Sequence, residues 1–148
     1  MRLNEDEALR RLSLARVARL ATSADGQPHI VPVTFAIRDR VIVIAIDHKP
    51  KSTRNLKRLR NIAANPRVSV LADEYAEDWS RLWWVRADGI ASVTDQPEPL
   101  LAEKYQQYRE NPPEGPFIRI QTGTIVGWSS ADGGPGFEHP AGDRGRPR

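Results

Sequence analysis

Residues 24–46 read ADGQPHIVPVTFAIRDRVIVIAI, and the order of turns and apolar positions in that stretch decides the fold. Asp25-Gly26 is a strong two-residue hairpin signal, because the turn that suits twisted strands needs positive φ at both central positions. The return segment then alternates. Val31, Val33, Phe35 and Ile37 share one face, while Ile30, Pro32, Thr34 and Ala36 share the other. Asp39, between Arg38 and Arg40, marks a second tight turn. The run after it, VIVIAID, is β-branched and apolar on both faces, which implies a central, buried strand. Pro32 has no amide hydrogen to give a ladder, so the backbone there belongs at an edge, a bulge or a ligand.

Working outward, Asn4 followed by Glu5, Asp6 and Glu7 reads as a cap with carboxylates at the positive end of a helix over about 5–13. A strand over 15–22 leads into the hairpin. Downstream, a helix over about 52–64 stops at Asn65-Pro66. A short strand RVSVLAD and a polar connection EYAEDWSR follow. The long strand LWWVRADGIASVT is interrupted around Asp88-Gly89, a helix entered through prolines covers PEPLLAEKYQQYRE, and a last strand spans 117–128. Six strands joined mostly by hairpins, with three helices in the connections, predict a mainly β, α+β fold: an antiparallel barrel rather than a βαβ sheet.

The 148 residues suit one domain, placed at 1–128, with residues 129–148 as a flexible tail. Glycine and proline supply eight of the tail's twenty residues, leaving little apolar surface to offset the cost of ordering. The absence of cysteine excludes disulfides, thiolate zinc sites and a cysteine nucleophile, and suits a cytoplasmic protein. The acidic, amphipathic N-terminus is unlike a signal peptide, and the longest apolar run is far too short to span a bilayer. Neither GxxxxGK[ST] nor GxGxxG occurs. His29, His48 and His139 lack the spacing of a metal site, and no serine sits in a nucleophile elbow. The residues therefore name no catalytic side chain and no metal; an enzyme built this way relies on a bound cofactor.

The cations are unevenly placed. Lys49, Lys51, Arg54, Lys57, Arg58 and Arg60 fall within twelve residues of a chain whose net charge is only +3. On a helical wheel Leu56, Leu59, Ile62 and Ala63 form the buried face, with Lys57 and Arg58 opposite and Arg60 at the margin, a solvated surface. Lys51, Ser52, Thr53 and Arg54 differ. With Ser52 or Thr53 as the N-cap, free amides, hydroxyls and two cations converge into an anion site. A cap with incidental neighbours is the plainer alternative. Nucleic-acid binding is disfavoured because no aromatic stacking positions accompany these cations. Trp83 and Trp84, adjacent in a strand, point to opposite faces, so one packs inside and the other belongs to a dimer surface.

The order hairpin, VIVIAIDHKPKSTRNL, NPRVSVLADEY, DWS and LWWVRADGIASV resembles the split β-barrel flavin and deazaflavin proteins related to pyridoxamine 5′-phosphate oxidase. Within them it is most similar to the actinobacterial enzymes that use the deazaflavin coenzyme F420. The resemblance covers about residues 5–128. It implies a six-stranded split barrel that forms a homodimer, with two cofactor sites at the subunit interface. The family's phosphate-binding segment matches Lys51, Ser52, Thr53, Arg54 and Asn55. The ring-binding strand matches His29, Val31, Pro32, Val33 and Thr34, and Trp79 matches an interface connection that walls the cofactor. A polyglutamylated tail would give Lys49, Lys57 and Arg58 a role as a cationic track. The implied activity is hydride transfer between reduced F420 and a small unsaturated acceptor. An FMN-binding relative of pyridoxamine 5′-phosphate oxidase, or a non-catalytic F420 carrier or sensor, remain alternatives. The connection around WSRLWWVRADG is longer than usual for the family, and nothing beyond Trp128 matches it.

Overall fold

The computed structural model describes residues 1–46 and 56–130. The first helix, α1 (Glu5–Leu14), starts as its residues dictate: the Glu7 amide donates to Asn4 Oδ1 at 2.8 Å, and three carboxylates occupy the first turn. Its inner stripe, Ala8 and Leu12, is fully buried. Strands β1 (Ala18–Ala24) and β2 (Gln27–Val33) meet at the Asp25-Gly26 turn, where both residues take positive φ of 53° and 75°. A second two-residue turn, Asp39-Arg40, joins β3 (Phe35–Arg38) to β4 (Val41–Ala45), again with positive φ of 52° and 65°. An arginine in that conformation is strained. Its surroundings hold it: the Thr122 amide and hydroxyl both donate to the Arg40 carbonyl, and its guanidinium donates to the Gly123 carbonyl at 2.8 Å and pairs with Glu5.

The remaining elements are α2 (Lys57–Ala64), β5 (Arg67–Glu74), a 3₁₀ turn (Trp79–Arg81), β6 (Trp83–Thr94), α3 (Pro99–Lys104), α4 (Gln106–Glu110) and β7 (Phe117–Ser129). Seven strands form one antiparallel sheet in the order β2-β1-β5-β6-β7-β4-β3. The count is seven, not six, because the return segment expected as one strand breaks at Thr34. Its halves, β2 and β3, lie at opposite edges of the sheet although a single residue separates them. The chain thus closes a barrel that the ladder leaves open, which is the split. The Phe35 amide donates to the Tyr105 hydroxyl at 3.1 Å, an interaction outside the sheet ladder.

The main core lies inside this barrel, built from Leu20, Phe35, Ile42, Ile44, Val70, Val85, Ile118 and Ile120, with α1 and α2 packed against it. A second cluster, on the outer face of β3, β4 and β7, joins Ala36, Val43, Ala45 and Phe117 to Leu101, Tyr105 and Tyr108 of the α3–α4 segment. The β4 strand is therefore buried on both sides, as its unbroken apolar run requires. The register shift of the β6–β7 pair falls between Asp88 and Gly89, where the interruption in that strand is expected.

Three local expectations need correction. The helix over 97–110 is two helices, because Tyr105 leaves helical geometry (φ −115°, ψ 120°) to turn its hydroxyl inward. The described helix α2 begins at Lys57 with Leu56 as its cap and no side-chain hydrogen bond, and Ser52 and Thr53 lie outside the described residues. The buried face of α2 differs: Asn61 and Ile62 are buried and Arg58 half-buried, while Ala63 is exposed. Asn61 tolerates burial because its side-chain amide donates to the Thr22 hydroxyl at 3.0 Å, and Ala63 has little apolar surface to lose. Finally, Ser129 and Ser130 are buried, with the Ser130 amide donating to the Leu82 carbonyl, so the packed chain runs past 128. Residues 131–148 lie outside the described part.

Candidate functional site

The expected ring-binding residues fall on β2, an edge strand, where Pro32 interrupts no inner ladder. Pleating sends His29, Val31 and Val33 toward the barrel interior; Val33 is buried, Val31 packs on the core and His29 is half-buried. Among the described residues His29 Nδ1 has no hydrogen-bond partner although it is shielded from solvent. The other face carries Pro28, Ile30 and Pro32, all exposed, with Ile30 at 62%. This apolar strip ends at Thr34, whose hydroxyl is within 2.7 Å of the Tyr108 hydroxyl.

Register extends the strip into a surface. Pro32 lies opposite Arg19, Arg19 opposite Leu71, Leu71 opposite Arg86, and Arg86 opposite Val126. On this face the Arg86 guanidinium holds both Asp88 oxygens, at 3.0 and 3.1 Å, and Ser69 donates to Asp88 at 2.7 Å. A groove of about 770 Å³ starts at Pro28 and crosses to Gly123, lined by Ala21, Arg67, Ser69, Asp88 and Ile90 among others. Asp88 there is already paired with Arg86, which leaves Arg67 as the groove's one unpaired charge among the described residues.

Lys49, Lys51, Ser52, Thr53, Arg54 and Asn55 lie outside the described residues. Trp79 is described: it is 57% exposed, in a 3₁₀ turn whose cap, Asp78, accepts from the Ser80 amide and hydroxyl. That turn lies beyond the last residue of β5 and the first of β6, the end at which β2 reaches Thr34 and away from His29. The tryptophan pair behaves otherwise than expected. Trp83 packs on the inner core and donates to Glu74 at 3.2 Å, but the outward Trp84 is only 7% exposed, so its ring is no open dimer surface.

A family model described as pyridoxamine 5′-phosphate oxidase matches residues 5–127. The chain belongs to that family. Among solved structures, it is similar to a FAD-binding protein from Mesorhizobium loti, at 26% identity and a TM-score of 0.61, covering 86% of this chain and 95% of that one. A FAD-binding protein from Mycobacterium smegmatis shares the fold at 19% identity and TM-score 0.58, over 86% and 94% of the two chains. General Stress Protein 26 from Bacillus anthracis does so at 22% identity and TM-score 0.61, over 83% and 92%. No curated protein matches.

Within this pyridoxamine 5′-phosphate oxidase family fold, sequence reasoning missed the groups that meet Thr34 and β3. Tyr105, Tyr108 and Lys104 lie in the segment expected as a single helix. Lys104 Nζ lies 3.8 Å from the Phe35 ring centroid and has no hydrogen-bond partner among the described residues. Burial, and secondarily the charge of Arg16, lowers its pKa from 10.5 to about 8. Between those two values the unfolded chain holds a proton that the folded chain has released, so this group makes stability rise with pH across that window. Lys104→Met is expected to be more stable than the parent below pH 8, with the difference vanishing above pH 10.5. Paired urea unfolding midpoints from pH 7 to 11 check it, and a constant difference would refute the assignment. No helix among the described residues is long and apolar enough to cross a membrane, and none of their His, Asp or Glu side chains group as a metal site.

Proposed function

We propose that this chain is an F420-dependent oxidoreductase that works as a homodimer in the cytoplasm on a small unsaturated acceptor. When bound, the reduced deazaflavin supplies the hydride. The observation that carries the reading is the pairing of two features in one member of this family. One is an exposed, flat apolar strip on an edge strand, Ile30 and Pro32; the other is the run of cations from Lys49 to Arg60.

The chain's own part is to bind and orient. Lys51, Ser52, Thr53, Arg54 and Asn55 hold the phosphate. Residues 29–34 support the ring: the apolar strip of Ile30 and Pro32 excludes water from one side. Lys57 is exposed and Arg58 half-buried, and with Lys49 they form the track for a polyglutamyl tail. Covering the strip with a second subunit accounts for the exposure of Ile30, and Trp79 serves as a wall at the far end.

A second reading, a flavin-binding protein carrying FMN or FAD, is favoured by the similarity to the Mesorhizobium loti FAD-binding protein. FMN carries one compact phosphate and needs no track. Absorbance titrations of the purified full chain with F420, FMN and FAD separate the two. Tighter binding of F420, growing with the number of glutamates, supports the proposal; preference for FMN or FAD transfers it to the second reading. If bound reduced F420 is never oxidised by a panel of quinones, enones and tetrapyrroles, the protein is a carrier or sensor.

A further inference from the structure

We infer that Tyr108 and Tyr105 are positioning residues, which set the bend at Thr34 and through it the face that β2 presents to a planar cofactor. The inference rests on the cofactor reading above but uses atoms that reading does not. The α3–α4 segment covers the outer side of Ala36 and stops at Thr34, leaving Pro32 and Ile30 bare. Two phenols stand at that border. The Tyr108 hydroxyl meets the Thr34 hydroxyl at 2.7 Å. The Tyr105 hydroxyl accepts from the Phe35 amide at 3.1 Å and lies 2.9 Å from the Arg16 carbonyl, to which it donates.

Two conditions make this arrangement more than packing. Buried phenols need only one partner each, yet here one reaches the joint residue Thr34 and the other the adjoining Phe35. The joint also lacks the neighbouring strand that fixes direction elsewhere in a sheet, because β2 and β3 lie on opposite edges. The tyrosines therefore supply the constraint that a ladder would have given. Their break in the helix, at Tyr105, is the geometric cost of reaching it.

The test uses the full chain, with Tyr108→Phe, Thr34→Val and the double variant. Each single change is expected to weaken F420 about tenfold, and the double variant no further, because one contact has been removed from either side. Hydrogen exchange at the Thr34 and Phe35 amides, which needs no cofactor, is expected to quicken about tenfold in Tyr108→Phe while exchange in β6 and β7 stays as in the parent. If the parent binds F420 and Tyr108→Phe binds it equally well, the inference fails and the proposed function stands. Should the parent bind none of F420, FMN and FAD, the proposed function fails. Unchanged exchange at Thr34 and Phe35 would then overturn the positioning role too, whereas quickened exchange confined to those amides would retain it for the bend alone.

Discussion

Replacing Lys51 and Arg54 together by glutamine lowers affinity for F420 on the order of a thousandfold and leaves the fold intact. The expectation follows from the energetics of a phosphate clamp. A hydrogen bond to a charged group contributes roughly 1.5–3 kcal/mol, and two of them correspond to factors between about a hundred and ten thousand. Both are charged residues, a type rarely buried in a core, so thermal unfolding should move little. The matching change at Lys57 and Arg58 acts on the tail and should matter only for long polyglutamyl forms, by about threefold to tenfold. Titration against short-tailed and long-tailed coenzyme checks both pairs. Equal binding by the parent and the Lys51/Arg54 variant would remove the clamp, and with it the main reason to prefer a phosphorylated cofactor.

Gly89→Ala should be the most damaging small substitution in the sheet. A Cβ there would lie 2.4 Å from the Gln121 carbonyl oxygen and 2.8 Å from Ile120 Cγ2, closer than such atoms ever approach. Backbone has to give way on both strands, at about 3 kcal/mol, the upper end of overpacking. For a domain of this size that corresponds to a fall in Tm of roughly ten degrees. Gly123 supplies the control. It is the extra residue of β7 at the same register shift, since Asp88 faces Thr124 and Gly89 faces Thr122. A Cβ at Gly123 meets nothing closer than 3.9 Å. Gly123→Ala is therefore expected to stay within about 0.5 kcal/mol of the parent. Calorimetry on the two variants decides, and similar Tm values would show that the shift at Asp88/Gly89 is not tightly closed.

The barrel was legible because its signals are local. Turn residues at Asp25-Gly26 and Asp39, alternation along 28–38 and the two-sided apolar run after Val41 each act over a few residues, and the structure realises them where they stand. What escaped depends on distant partners. Nothing near Thr34 in sequence says that a strand must break there; the reason comes from Tyr105 and Tyr108, about seventy residues on. The burial of Asn61 rests on Thr22, on another element, whose hydroxyl accepts its amide. Alternation made one of Trp83 and Trp84 look available, but the low exposure of Trp84, the outward one, is a tertiary property. For the candidate site, His29 to Thr34 could be placed on an edge strand because Pro32 announces one. The cation segment 47–55 could be read for its charge, and its geometry lies outside the described residues.

The two hairpin turns have a consequence for how relatives of this chain can diverge. From Ala18 to Ala45 the chain has no slack: each reversal uses the minimum of two residues, and a single residue spans the gap between the sheet edges. An insertion anywhere in that stretch would slip a register and turn core side chains outward. Among the fully described connections, room for novelty in length lies in the spans after β5 and after β6, residues 75–82 and 95–116. If the proposed function holds, acceptor choice should drift through those two spans while β2 keeps its length.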